Sequence, residues 1–245
     1  MVLSVTHLSK AYGGVQAVRD VSFGVAAGEM VALIGPNGAG KTTCFNMING
    51  QLAPDSGGIR LGGASLVGLA PHRIGRLGVG RTFQVTATFG SMSVRENVQT
   101  ALLSRYRKNL SLWGHAGGLF ASEAEALLER VGMREQAARQ CAVLAYGDLK
   151  RVELAIALAG SPKLLLMDEP TAGMAPEERG ALMTLAASLA RRDDIAVLFT
   201  EHDMSVVFGF ASRVIVMHLG EIIAAGSPDE IRADARVREV YLGDA

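Results

Sequence analysis

A chain of 245 residues with 49% hydrophobic content is long enough to bury a large core, as one domain or as one domain carrying a subdomain. Its 24 Lys and Arg balance 24 Asp and Glu, which argues against the basic surplus of a nucleic-acid binder, and no apolar run approaches the roughly 20 residues that cross a bilayer. The opening MVLSVTHLSK does not read as a secretory signal, and Cys44 and Cys141, without C-x-x-C spacing, read as two buried thiols of a reducing compartment.

In chain order, Val2–Val5 alternates like a short strand, Tyr12-Gly13-Gly14 reads as a turn, and Val15–Phe23 as a second strand. Ala27-Gly28-Glu29 turns into a third strand, and the three together suggest a small antiparallel sheet. Tyr12 either stacks on a purine base or packs on the core. The third strand, the apolar run Val31–Ile34, itself reads as a buried parallel strand, and it feeds GPNGAGKTT. Gly35, Gly40, Lys41 and Thr42 there have the spacing of a phosphate-binding loop, G-x-x-x-x-G-K-[ST]. Such a loop wraps a polyphosphate with backbone N–H groups, and Gly35, Gly38 and Gly40 remove the Cβ atoms in its way. The helix expected over Thr43–Asn49, closed by Gly50, points its N-terminus at the anion. Lys41 adds charge near the β- and γ-phosphates, and the Thr42 hydroxyl is a Mg²⁺ ligand.

Ala53–Gly63 is turn-rich and reads as a loop and hairpin, Pro71–Leu77 as a short helix, and Gly78–Gln84 as a strand whose last residue, Gln84, either reaches Mg²⁺ or a water or is an ordinary loop residue. The character then changes. Val94–Leu103 and Ala121–Val131 carry helical spacing, the second with a capping start at Ser122-Glu123-Ala124-Glu125. Between them Asn109–Phe120 holds Trp113, a packing residue or a partner contact. A further helix over Leu149–Gly160 places Val152, Ala155, Ile156 and Ala159 inward and Lys150, Arg151 and Glu153 toward water. Gly147 opens it, which makes its N-terminus a second anion site in principle.

Lys163–Glu169 is an apolar strand ending in two carboxylates. Near a phosphate loop, Asp168 would hold the metal through its water shell and Glu169 would polarise the attacking water. Pro176-Glu177-Glu178 starts a helix with Pro at N1 and acids in its first turn. Ile195–Thr200 is the next buried strand, and His202 just past its end is placed to hydrogen-bond the γ-phosphate, whereas His7, His72, His115 and His218 read as structural or exposed. Val214–His218 and Glu221–Ala225 form a late hairpin around Gly220, and Ser227–Gly243 a mixed helical tail.

The order of these pieces resembles the ATP-binding cassette (ABC) ATPases over essentially the whole chain. Tyr12 resembles their adenine-stacking aromatic. Gly35, Pro36, Asn37, Gly38, Ala39, Gly40, Lys41, Thr42 and Thr43 match their phosphate loop, and Gln84 their Q-loop glutamine. Ala145, Tyr146, Gly147 and Asp148 occupy the signature, which binds nucleotide in trans; LLLMDE matches the magnesium and base strand, and His202 the switch histidine. RTFQVTATFGSMSVRENV and PDEIRADARVREVYLG are similar to the branched-chain amino acid importer ATPases. The resemblance implies an α/β P-loop NTPase (RecA-like) core over about 1–84 and 155–245, with an N-terminal antiparallel β subdomain and an inserted α-helical subdomain over about 85–154. It implies ATP and Mg²⁺, with Glu169, His202, Gln84 and Lys41 catalytic and Thr42, Gln84 and Asp168 around the metal. The implied partners are a second ABC ATPase, the same chain or a homologue, two membrane permease subunits and, indirectly, an extracytoplasmic solute-binding protein, with no nucleic acid. The implied location is peripheral, on the cytoplasmic face of the cell membrane.

Two positions depart from that family. The signature serine is Ala145, which removes one hydroxyl from the γ-phosphate, and Ala175 replaces the usual aspartate or asparagine of the D-loop. Related importers of urea, amides and other polar solutes share these motifs, so cargo stays open. A small-metabolite P-loop kinase would have no use for LAYGD in trans, and a cassette acting on DNA or ribosomes would usually carry a coiled-coil insertion or a second cassette. The intact Lys41, Asp168, Glu169 and His202 argue against a regulatory binding module with a dead site, and the alternative of another class that stays open is a non-transport regulatory P-loop ATPase.

Overall fold

The computed structural model describes residues 1–82, 88–106 and 118–242. Apolar and polar residues alternate along β1 (Leu3–Tyr12) and β2 (Val15–Val25), so each strand has one buried face, with Leu3, Val5 and Leu8 on the first and Val18, Val21 and Val25 on the second. Gly13 and Gly14 join them, both at positive φ, as a tight two-residue hairpin requires. The run Met30–Ile34 (β3) does not alternate. All five residues are buried, so it needs cover on both faces and cannot serve as a third strand of the small sheet. That expectation is corrected: the antiparallel neighbour on the other side of β1 is β4 (Ser56–Leu61), which carries β5 (Ala64–Ser65) on its far side.

After β3 the chain runs through α1 (Lys41–Ile48), α2 (Pro71–Leu77), β6 (Val79–Thr82), α3 (Val94–Arg105), α4 (Ala121–Arg130), α5 (Tyr146–Ala159), β7 (Leu164–Asp168), α6 (Pro176–Arg192), β8 (Ala196–Thr200), α7 (Met204–Phe210), β9 (Arg213–His218), β10 (Glu221–Gly226) and α8 (Pro228–Ala233). The second sheet has the order β10-β9-β3-β8-β7-β6, parallel throughout except for the β9–β10 hairpin. Successive residues of its strands serve different cores. Val31, Leu33, Leu164, Leu166, Leu198 and Ile215 pack against α1 and the antiparallel sheet. Ala32, Ile34, Leu165, Met167, Val197 and Phe199 face the other side, in a core continuous with Val98 of α3, Leu128 of α4 and Val152 of α5. The α-helical segment is thereby held to the parallel sheet by one apolar layer.

Local chemistry sets the helix ends. Ser93 and Glu96 form a reciprocal capping box on α3. The capping start expected at Ser122 does not form. The helix α4 starts at Ala121 after Phe120, which adopts φ 58° and stacks on Tyr106 with ring centroids 4.8 Å apart. The helix expected from Leu149 begins three residues earlier, at Tyr146, with Ala145 as N-cap. Lys150 and Glu153, expected toward water, are both buried. They pair with each other at 3.0 Å, one helical turn apart, so both charges enter the interior with a partner.

Candidate nucleotide site

The parallel strands β3, β7 and β8 end at one edge of the sheet, and each delivers part of a polar cluster there. β3 leads into the loop 35–40 and then α1, whose first turn has neither a side-chain cap nor an acid. Its N-terminal N–H groups are left for an anion. Gly35 and Gly40 are required, but for a reason the motif alone does not give. A Cβ on Gly35 would lie 2.2 Å from the Met217 carbonyl oxygen of β9, and one on Gly40, at φ 103°, 2.4 Å from the Ala17 carbonyl oxygen of β2. These two glycines let the loop pack on its own protein. Gly38, at φ 81° with nothing within 4 Å, is the one whose open side faces outward, toward an approaching ligand. Asn37 and Thr42 are exposed and Thr43 half-buried, whereas Ala39 is buried.

Lys41 is buried, and its ammonium donates to the carbonyls of Gly35 at 2.6 Å and Pro36 at 3.0 Å. Burial pulls its pKa below the usual lysine value, while the carboxylates of Glu169 and Asp168 oppose that shift. Asp168, the last residue of β7, accepts from the Thr200 hydroxyl at 2.8 Å on one oxygen and from the Arg81 guanidinium at 3.0 Å on the other. Glu169 adopts φ 47°, so the chain turns sharply as it leaves the sheet, and its N–H donates to the Thr200 hydroxyl at 3.1 Å. Its carboxylate lies 2.9 Å from Nε2 of His202. Beside it, buried Glu201 accepts from the N–H and hydroxyl of Thr171 at 2.9 and 2.7 Å, and the Asp203 carboxylate pairs with Arg179 at 2.6 Å. Of the acids flanking His202, Glu201 is thus tied to the loop after Glu169 and Asp203 to α6.

The donor set fits Mg²⁺. That ion keeps most of its waters and takes one or two protein oxygens plus substrate phosphates, which is what an exposed Thr42 and the Asp168 carboxylate offer. Among the described residues no cluster of three or more His, Cys, Asp and Glu forms a closed metal cage.

Lys41, Asp168, Glu169 and His202 therefore belong to one edge. Tyr12 stands on another element, the β1–β2 hairpin, with half its surface exposed, so it presents a ring to solvent and is not packed on the core. The Lys10 ammonium sits 5.9 Å from its ring and 2.6 Å from Asp55. Of the signature residues, Ala145 and Tyr146 are exposed and Asp148 is half-buried. Gly147 is buried, and its α-carbon faces the Glu178 carboxylate, 3.0 Å from where a Cβ would sit. Gln84, Trp113 and His115 lie outside the described residues. Both cysteines are buried, and burial pushes the Cys44 thiol up to about 12. Sequence reasoning missed Arg81, Thr200 and Glu201. Each is a polar residue at a strand end, but its partner is 30 or more positions away.

The family model described as ABC transporter matches residues 18–172, and one described as Branched-chain amino acid ATP-binding cassette transporter matches residues 221–245. The chain is 39% identical over 251 residues to the high-affinity branched-chain amino acid transport ATP-binding protein LivG of Salmonella typhimurium, covering 100% of this chain and 98% of that one. It is 38% identical over 256 residues to BraF of Pseudomonas aeruginosa, described in the same terms, with 100% and 98% covered. It is also 38% identical over 247 residues to the lipopolysaccharide export system ATP-binding protein LptB of Acidithiobacillus ferridurans, with 99% and 97% covered. Among solved structures, the ADP conformation of MJ1267, an ATP-binding cassette of an ABC transporter, has a TM-score of 0.87 at 29% identity over 99% of both chains. A dimeric post-hydrolysis state of the cassette MJ0796, bound to ADP and Pi, has a TM-score of 0.78 at 25% identity over 92% and 98%.

Proposed function

This chain belongs to the ABC transporter family of ATP-binding proteins, and from that premise we propose that it drives uptake of branched-chain amino acids through a membrane permease. ATPases of this family hydrolyse ATP in pairs beneath permease subunits. The observation that carries the catalytic reading is the convergence of Lys41, Asp168, Glu169 and His202 at the ends of three neighbouring parallel strands.

The triphosphate lies along the loop 35–40, on the N-terminus of α1, with its negative charge met by Lys41. Mg²⁺, when bound, is held by Thr42 and Asp168 and neutralises the charge on the phosphate oxygens. Glu169 accepts the proton of the attacking water as its oxygen bonds to the γ-phosphorus and the bond to ADP breaks. His202, in contact with the Glu169 carboxylate, orients that base. The resemblance assigns Gln84 to the water and metal and Tyr12 to stacking on the adenine. The N-terminus of α5, with exposed Ala145 and Tyr146 followed by Gly147 and Asp148, binds the triphosphate held by a second ATPase. ATP is then the ligand that joins two surfaces, and hydrolysis releases them.

The permease contact is supported by an apolar patch on the helical part. Phe89, Met92 and Val143 are exposed there, in two segments joined by hydrogen bonds from Ala142 N–H to the Gly90 carbonyl and from Cys141 N–H to the Met92 carbonyl, each 3.1 Å. The location we propose is peripheral, on the cytoplasmic face beneath the permease; among the described residues no helix is long and apolar enough to cross a membrane. Import of branched-chain amino acids, in place of lipopolysaccharide export, is favoured by the match of residues 221–245.

The test is purification of the complex from membranes through a tag on this chain, followed by ATPase assay in vesicles with its solute-binding protein. The expected result is two permease subunits in the complex and hydrolysis stimulated by leucine, isoleucine or valine. Stimulation by urea or amides alone would overturn the cargo assignment.

A further inference from the structure

We propose that Arg81 is a resident counter-cation of Asp168 that yields to magnesium when nucleotide arrives, so that magnesium enters with ATP and not alone. The proposal rests on the reading of Asp168 as a metal residue given above. Arg81 stands on β6, next to β7 in the sheet, and its guanidinium reaches groups on several elements. One nitrogen donates to Asp168 at 3.0 Å, and another to Asn46 on α1 at 2.9 Å and to Gln51 at 3.1 Å. Both members of the Arg81–Asp168 pair are nearly buried, with side chains 11% and 14% exposed, so solvent screens their attraction weakly. The same guanidinium lies over the Phe45 ring of α1, 6.0 Å from its centre. Arg81 therefore sits between Asp168 and α1, the helix whose first turn carries Thr42, and these are the two groups assigned to the metal.

A divalent cation entering there meets a fixed positive charge. Without triphosphate, that repulsion and the need to break a charge-assisted hydrogen bond oppose its binding. With triphosphate, the phosphate oxygens supply the missing negative charge, and Arg81 keeps its bonds to Asn46 and Gln51 as it gives up Asp168. Thr200, which holds the other Asp168 oxygen at 2.8 Å, keeps the carboxylate in place through the exchange.

The test measures ATP affinity by calorimetry in magnesium and in EDTA, for the wild type, Arg81→Met, Arg81→Lys and Asp168→Asn. The quantity read is the ratio of the two dissociation constants, which a general loss of structure moves little. In Arg81→Met the gain from magnesium is expected to exceed that of the wild type by about tenfold, the worth of one charge-assisted bond. Arg81→Lys, which keeps the charge, restores the wild-type ratio. Arg81→Gln, which removes the charge but keeps a donor, is expected to behave as Arg81→Met and serves if that variant does not fold. An unchanged or smaller ratio in the uncharged variants overturns the proposal. If Asp168→Asn retains the full gain from magnesium, the metal assignment fails and takes this proposal with it. If Asp168→Asn loses the gain while Arg81→Met and Arg81→Gln match the wild type, only the role of Arg81 fails.

Discussion

Replacing Lys41 with Met removes one charge and leaves the buried stem almost unchanged in volume. In the structure the ammonium is turned back onto the loop, 2.6 Å from the Gly35 carbonyl and 3.0 Å from that of Pro36. Triphosphate binding exchanges those neutral acceptors for charged ones, so the loss on binding is the excess of a charge-assisted pair over a bond to a carbonyl. That excess is about 1–2 kcal/mol, or roughly 5- to 30-fold in the Kd for ATP. The fold is affected far less. Two loop carbonyls lose a donor, but a desolvated charge is removed as well, and burial is the largest cause of the lowered Lys41 pKa. The net change in stability is expected within about 1 kcal/mol, or roughly 3 °C in Tm for a chain of this size. Calorimetric titration with ATP and magnesium, alongside a thermal melt, separates the two effects. A folded Lys41→Met variant with a Kd within threefold of the wild type would refute the placement of the triphosphate on this loop.

Glu169→Gln is expected to bind ATP within a few-fold of the wild type while kcat falls by about 10²- to 10⁴-fold in a phosphate-release assay, because a proton acceptor is lost and its shape is kept. Gly40→Ala would place a Cβ 2.4 Å from the Ala17 carbonyl oxygen at φ 103°, and a loss of about 3 kcal/mol or more should lower Tm by roughly 6 °C or more. A wild-type melt would contradict that packing. The lowered Lys41 pKa gives a pH dependence of definite sign. ATP affinity should begin to weaken at a pH below the ordinary lysine value of 10.5, as Lys41 loses its proton in the folded chain. Across the same window the unfolded chain still holds that proton, so the Lys41 contribution to stability rises with pH there, and the rise should be absent from melts of Lys41→Met.

The parts of the site that can be read from sequence are those whose signal is local. The buried run before Gly35, the glycine spacing and the lysine lie within a dozen residues, and an apolar strand ending in Asp168 and Glu169 carries its own meaning. The early sheet was misread because the hairpin formed by β1 and β2 is local, whereas the identity of the third strand depends on β4 returning past a helix. Arg81 was missed for the same reason. It reads as an ordinary strand residue until the sheet brings β6 beside β7 and Asp168 within 3.0 Å. Lys150 and Glu153 show the limit of periodicity. Polarity placed them toward water, but a lysine and a glutamate three positions apart neutralise each other and can be buried as a pair. The three glycines of the loop are legible in the sequence for a partly different reason, since Gly35 and Gly40 face protein backbone and Gly38 alone of the three faces open space.

The central claim is that triphosphate is shared between the phosphate loop of one cassette and the exposed start of α5 in another. Sedimentation velocity of Glu169→Gln with and without ATP tests it most directly. The account predicts a monomer without nucleotide or with ADP and a dimer with ATP, the dimer being lost when Lys41→Met is added. A Glu169→Gln chain that binds ATP and still sediments as a monomer, alone and when released from its purified membrane complex with ATP present, would contradict it.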